Sequence, residues 1–391
     1  MNKFDEIQQK IQALQSDYKT DLIELKDGLY RILQEDIIAD MDMPPFNKSA
    51  MDGYACHRED LGNKMEILEV IHAGMMPTKN VGKNKCSKIM TGAAVPDGCN
   101  CVFKVEDSKL VGENYVVCTN LNSKENICEQ GEDYQKGEIL IKKGTIINVS
   151  QMAVLAGAGK HKIKVSQKPH ISVITTGSEL VEPNLIPPKG KIRNSNSNQL
   201  ISQIQKINLD ATYFGLQKDD FELLSEKFDQ ALSKSDYVFF TGGASVGDFD
   251  YIPELLTKKG FKIYWDRTGI KPGNPMTFSQ KGNKYCFGLS GNPVSSLVQF
   301  EFIAKPTIYK LLGANFQPFR IKATLAADFY RKVADRLAVI PVLINEKGEV
   351  DQIPFHGSAH INALVYANAL MEIPVEIMEV KKGELVYVRP L

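Results

Sequence analysis

Residues 237–256 read YVFFTGGASVGDFDYIPELL. A run of β-branched and aromatic residues stops at Thr241-Gly242-Gly243, and two acids, Asp248 and Asp250, follow before a helix-like segment carrying Pro253 in its first turn. The pattern is a strand, a glycine turn and a helix start. Peptide N–H groups exposed at such a junction attract anions, whereas two carboxylates repel them. A hydrated Mg2+ shared between one or two carboxylates and substrate phosphates satisfies both. Asp250 also has a plainer reading, as the N-cap of the following helix.

Two more strands end in the same way, HISVITTG (170–177) and KYCFGLSG (284–291). Helical patterns lie at 197–208, 220–235 and 294–313, and strands alternating with helices predict parallel βαβ units with ligands at the strands' carboxyl ends. All three glycine turns are then expected on one rim. Thr176, Gly177 and Glu179 in TTGSE, and Ser290, Gly291 and Asn292 before the last helix, belong to that rim. Asp219 and Asp220 follow the strand LDATYFG; one is expected to cap the next helix, and the pair also suits support of a cation. Lys271 in GIKPGNP supplies a positive charge on a loop fixed by proline and glycine.

The flanks differ in character. Residues 1–43 space their apolar positions as helices do, up to Met43-Pro44-Pro45. Residues 44–140 carry short β-rich runs punctuated by Gly, Asn and Asp, and 148–160 read as a helix leading out of them. After Gly313 the segments FRIKATLAADF, RLAVIPVLI and ELVYVRPL predict a small β-barrel or sandwich.

Composition excludes several classes. The 391 residues hold 47 basic and 47 acidic side chains, so no global field draws the chain to nucleic acid or to an acidic membrane. No stretch approaches the ~20 apolar residues of a membrane span, and the N-terminus lacks the pattern of a secretory signal. Six of the seven cysteines fall between Cys56 and Cys128, with an odd total and no C-x-x-C, which predicts reduced, mostly buried thiols in a cytoplasmic protein. His356 and His360 have i, i+4 spacing, but Gly357 between them and the missing Glu argue against a helical zinc site. Cys99 and Cys101 read as packing residues.

These stretches together closely resemble the molybdopterin molybdenumtransferase family, which includes the C-terminal domain of gephyrin. The resemblance is carried by PPFNKSAMDGYA (44–55), IMTGAAVPDGCNCVFKVED (89–107), GEDYQKGEIL (131–140), TTGSELVEP (175–183), TGGASVGDFDY (241–251), IKPGNP (270–275) and GLSGNPVSSLVQFE (288–301), and more loosely by 356–374. It implies a multidomain α/β fold: a helical and extended linker domain (1–43 plus 141–168), an inserted β-rich domain (44–140), a central doubly wound αβα molybdopterin-binding domain (169–313) and a C-terminal small β-barrel domain (314–391). It also implies a homodimer with the active site at the subunit interface, acting on adenylylated molybdopterin and molybdate with Mg2+, releasing AMP, and receiving the pterin from the molybdopterin adenylyltransferase. Catalytic roles carry over to Asp52, Thr91, Asp133, Glu179, Asp250 and Lys271. Pterin and phosphate binding carry over to Thr176, Gly177, Asp219, Asp220, Gly242, Gly243, Ser245, Gly247, Ser290, Gly291 and Asn292, and metal binding to Glu179, Asp248 and Asp250.

Some positions depart from the family's pattern. Asn274 replaces the second lysine of KPGKP and removes one charge from the oxyanion site. Asn194 stands where Asp commonly precedes SNS, Ser290 where Pro usually precedes GNP, and Cys128-Glu129-Gln130 replaces an arginine-containing run. Two other functions share the central domain. One is the adenylyltransferase, whose loop continues GGTG where this chain has Gly242-Gly243-Ala244-Ser245; the other is a non-catalytic molybdopterin-binding scaffold.

Overall fold

The computed structural model describes residues 2–243 and 251–391; the expected site residues Ser245, Gly247, Asp248 and Asp250 lie outside them. The chain divides into two compact units, one of Met1–Glu35, Lys143–Asn148 and Lys162–Leu391, the other of Asp36–Lys142 and Val149–His161.

The first unit begins with helix α1 (Lys3–Ala13), capped by the Asn2 side chain, which accepts the N–H of Asp5. Helix does not continue to residue 43 as its spacing predicts. Instead β1 (Thr20–Glu24) pairs antiparallel with β2 (Lys162–Ser166), Thr20 opposite Ser166. In TDLIE the burial alternates residue by residue, and so short a run fits period 2 as well as 3.6; a partner some 140 positions away decides between them.

A six-stranded sheet forms the centre. Its strands are β3 (Ile171–Thr176), β4 (Ala211–Gln217), β5 (Tyr237–Thr241), β6 (Lys262–Arg267), β7 (Pro275–Lys281) and β8 (Lys284–Leu289), in the order β4-β3-β5-β8-β7-β6. The first four are parallel, as the alternation predicts. The last two run antiparallel at one edge, because Gly282-Asn283 joins β7 to β8 by a tight hairpin, with Gly282 at φ 56°. Strands β3 and β5 are buried at every position, which their unbroken apolar runs require when helices cover both faces. On one face Phe239 stacks on Phe287 with centroids 4.5 Å apart, beneath the long helix starting at Pro293. On the other, Ile174, Val238 and Phe240 pack against Phe228 and Leu224 of helix α3 (Phe221–Lys234). Each such buried side chain contributes about 1.5–3 kcal/mol.

Parallel register levels the strand ends. Thr175 lies opposite Thr241 and Thr241 opposite Leu289, so the turns that follow these three residues stand side by side.

The C-terminal segments close into a five-stranded barrel. Strands β9 (Ile321–Leu325), β10 (Leu337–Ile344), β11 (Glu349–Gln352), β12 (Ala369–Ile373) and β13 (Leu385–Pro390) form the ring β10-β11-β9-β13-β12, closed by β12 pairing with β10. Leu325, Val342, Val350, Met371 and Val388 fill it. Of the two architectures the sequence allowed here, closure selects the barrel, which leaves no unpaired edge.

The second unit is β-rich, as expected. Its main sheet orders Cys101–Lys104, Gly53–Cys56, Lys85–Ile89, Met65–Ile71, Tyr115–Cys118 and Ser108–Leu110, and it contains the helix Val149–Gly157. Gly53 sits where a β-carbon would lie 2.0 Å from the carbonyl oxygen of Phe103, so no other residue fits. All seven cysteines of the chain are free thiols, and Cys56, Cys86, Cys101, Cys118 and Cys286 are buried.

Candidate functional site

The level strand ends open onto a cleft of about 560 Å³. Thr176, Gly177 and Glu179 line it from the end of β3, Gly242 and Gly243 from β5, and Ser290, Gly291 and Asn292 from β8. Asp219 joins them, its carboxylate accepting the N–H of Ser178 at 2.8 Å. Asp220 does not line the cleft; it caps α3, accepting the N–H of Leu223. The two adjacent acids therefore divide the roles left open for them, one at the cap and one at the cleft.

Close approach dictates the glycines. A β-carbon on Gly242 would stand 2.1 Å from the Thr176 carbonyl oxygen, and φ is +95°. On Gly243 it would meet the Thr176 hydroxyl at 2.9 Å, with φ +62°. The Thr176 Oγ1 is buried and has no hydrogen-bond partner among the described residues. An orphaned hydroxyl at a cleft wall is a ready partner for a ligand.

Residues outside the glycine turns complete the wall. Asn194, Ser195 and Asn196 line the cleft at the amino end of α2 (Asn196–Lys206), where Ser195 makes no side-chain cap. The Asn194 side-chain oxygen accepts the Ser197 N–H at 3.2 Å, so it is Asn194 that caps this helix start, where the positive end of the helix dipole lies. Asn196 is locked by donating to Thr241 Oγ1 and to the Gly291 carbonyl, both at 2.9 Å. Asn194 donates to the Tyr213 hydroxyl at 2.8 Å, and that hydroxyl donates to Glu182, also at 2.8 Å. Burial, and then the Glu182 carboxylate, push the Tyr213 phenol up to about 12. The signal available in the sequence was the polar run NSNSN inserted before an amphipathic helix.

A second cavity of about 580 Å³ shares Ser290 and Asn292 with the first. Lys271 lies here, together with Arg331, Lys332, Arg336 and His356 from the barrel and its loops. Buried Gln299 ties the two cavities together. Its amide donates to the Gly273 carbonyl at 2.9 Å and to the Pro275 carbonyl, while its oxygen accepts the Ser290 N–H at 2.8 Å. A lone glutamine inside the apolar run LVQFEFIA was the only sequence sign of it.

Asp52, Thr91 and Asp133 belong to the second unit. The Asp52 carboxylate accepts both the N–H of Thr91 at 2.6 Å and its hydroxyl at 2.8 Å. These bonds, the backbone one foremost, hold the carboxyl below its ordinary value. Asp133 lies in a loop fixed by its N–H to the Met43 carbonyl.

Three family models match the chain: MoeA N-terminal region (domain I and II) over residues 2–159, "Probable molybdopterin binding domain" over 172–310, and MoeA C-terminal region (domain IV) over 322–391. A Staphylococcus epidermidis protein named molybdopterin molybdenumtransferase is 36% identical over 374 residues, covering 93% of this chain and 89% of that one. The chain belongs to the molybdopterin molybdenumtransferase family. A Staphylococcus aureus molybdopterin molybdenumtransferase is 34% identical over 388 residues, 97% of this chain and 93% of that one. The molybdopterin biosynthesis MoeA protein of Pyrococcus horikoshii superposes with a TM-score of 0.82 at 29% identity, covering all of both chains.

Within this molybdenumtransferase fold the departures noted in the sequence have local partners. Asn274 turns its carboxamide oxygen to the Gly269 N–H at 3.0 Å and so braces the loop that presents Lys271. Ser290 offers Gln299 an N–H that proline lacks. Asn194 donates to Tyr213, which an aspartate at that place cannot do. In the second unit Gln130 donates through its side chain to Asp42 and through its backbone to Asn47.

Proposed function

We propose that the chain inserts molybdate into adenylylated molybdopterin and releases AMP, yielding molybdenum cofactor. The observation that carries this reading is the pairing of two unlike cavities across one turn, Ser290–Asn292. The first offers backbone N–H groups, a helix start and an orphaned hydroxyl, which suit the pterin phosphates. The second offers unpaired cations, which suit a tetrahedral dianion such as molybdate.

The catalytic demand is modest in kind: bring an oxyanion and a dithiolene together and stabilise the charge that develops as the phosphoanhydride breaks. Thr176 and the peptide groups of Gly243 and Gly291 orient the phosphates, with Gly242 leaving room for their approach. Glu179, on the cleft wall, is the carboxylate suited to orienting the attacking water. Lys271 holds molybdate in the neighbouring cavity. Asp52, Thr91 and Asp133, all of the second unit, are read as contributors through a homodimer, in which the partner copy completes the site.

Magnesium fits the donors available. Among the described residues no group of three or more His, Cys, Asp or Glu side chains is arranged to hold a metal alone. Glu179 and Asp219 nevertheless provide two carboxylates beside the phosphate-binding turns, the shared coordination that Mg2+ favours. When bound, the ion would neutralise negative charge on the phosphates. No described helix is long and apolar enough to cross a membrane. Five buried cysteines, all free thiols, suit a reducing, cytoplasmic setting, where the adenylyltransferase would hand on its product.

The test is AMP release from adenylylated molybdopterin with Mg2+, with and without molybdate. Molybdate-dependent release is expected. ATP consumption with molybdopterin alone would transfer the chain to the adenylyltransferase reaction, and tight pterin binding without release would make it a scaffold.

A further inference from the structure

Five basic side chains line the second cavity, but they are not equally available. Arg331 donates from Nε to the Ile377 carbonyl at 2.7 Å, from Nη1 to the Arg336 carbonyl at 2.9 Å and from Nη2 to the Pro374 carbonyl. Its guanidinium is committed to holding the barrel's loops. Arg336 is drawn to Asp335, with Nε to Oδ2 at 3.1 Å. His356 donates its backbone N–H to His360 Nδ1, and the two rings stack with centroids 5.0 Å apart. Of the lysines and arginines here, Lys271 and Lys332 are the two that make neither an ion pair nor a side-chain hydrogen bond among the described residues.

Both lysines line the cavity, Lys271 from the short strand Ile270–Lys271, which pairs with β10, and Lys332 from the loop that leads into β10. Asn274, on the same wall as Lys271, has spent its carboxamide oxygen on Gly269 and carries no charge. A doubly charged oxyanion in this cavity therefore meets one free ammonium from the central domain and needs a second from elsewhere to be neutralised.

We infer that Lys332 is that second cation: a molybdate-binding residue contributed by the barrel, supplying the charge that Asn274 does not. This rests on the reading of the second cavity as the oxyanion site. It makes oxyanion binding depend on the barrel and the central domain jointly. Lysine suits the role because its ammonium is a mobile point charge on a flexible stem, able to meet an ion that arrives and leaves.

The experiment is calorimetric titration of the full chain with sodium molybdate, and with sodium tungstate as a second probe, at low and at physiological ionic strength. The proteins are wild type, K271A, K332A and K332R. Loss of a charge-assisted contact is expected to weaken binding by about tenfold or more in K332A, with less loss at the higher ionic strength. K332R is expected to bind within about threefold of wild type. Lys332 is exposed, so the thermal midpoint should not move. If K271A weakens binding and K332A does not, Lys332 has no such role and the cavity assignment survives. If neither variant changes binding, the oxyanion site itself is misplaced. An equal loss in K332A and K332R would trace the effect to packing of the side chain and overturn the role of its charge.

Discussion

Asp52 takes two hydrogen bonds from one residue, the backbone N–H and the hydroxyl of Thr91, at 2.6 and 2.8 Å. The carboxylate is exposed, yet it is held in one orientation by a neighbour 39 positions along the chain. Both donors favour the charged form, so the folded pKa lies below the ordinary aspartate value. Stability from this contact is fully present above the unfolded pKa and is lost as pH falls through the depressed folded one. In T91V the hydroxyl bond is gone and the backbone bond remains. A carboxyl-carbon NMR titration should show the Asp52 midpoint moving part of the way back up, and AMP release should fall.

Gly242 tests the phosphate cradle. G242A must place a β-carbon against the Thr176 carbonyl at a backbone conformation with positive φ. We expect a loss of about 2–4 kcal/mol in urea denaturation, together with loss of pterin binding. An alanine variant of wild-type stability would mean that the turn adopts another conformation.

Gln299 tests the coupling of the two cavities. Q299L preserves bulk but leaves the Gly273 and Pro275 carbonyls and the Ser290 N–H without their partner, each worth about 1–3 kcal/mol when buried. The expected result is marked destabilisation and weaker affinity for both molybdate and the pterin nucleotide, measured separately. Loss of only one affinity would show that the shared turn does not link them.

Arg331 separates structure from charge. R331A removes a cation from the second cavity and also the only side chain that bridges three carbonyls of the barrel loops among the described residues. We expect it to lower the melting temperature, with a cost of about 2–4 kcal/mol, whereas K332A leaves it unchanged.

Tyr213 gives a prediction at high pH. Its phenol is raised to about 12, so its contribution is intact below the unfolded value near 10 and is lost as pH rises from there to the folded value. Ultraviolet titration of wild type against Y213F should show one tyrosine fewer ionising late. Y213F should also leave the Asn194 amide short of an acceptor at the cleft wall.

The parallel core was legible because three apolar runs each stop at glycine, and chemistry follows each stop. That pattern puts Thr176, Gly242, Gly243 and Ser290–Asn292 on one rim, where the cleft opens. What escaped it depends on distant partners. Thr20–Glu24 is a strand only because Lys162–Ser166 lies beside it, and Pro275–Lys281 is placed by its hairpin to Lys284–Leu289. Gln299 and Lys332 escaped for a related reason: a single polar residue in an apolar helix, or one lysine in a polar loop, acquires meaning only from the backbone facing it. Lys271, legible in sequence as a positive charge beside proline and glycine, lines the basic cavity.

The pairing of β1 with β2 also sets a timetable. Thr20 emerges from the ribosome about 140 residues before Ser166, its partner, and at ~5–20 residues per second the first strand waits for about 7–30 s. Phe4 waits longer still, for Phe302. The second unit, whose sheet lies between residues 53 and 118, is complete in the interval. During synthesis it is therefore the later-begun unit that finishes first, while the chain's opening segment remains uncommitted and open to chaperones until the central sheet arrives to receive it.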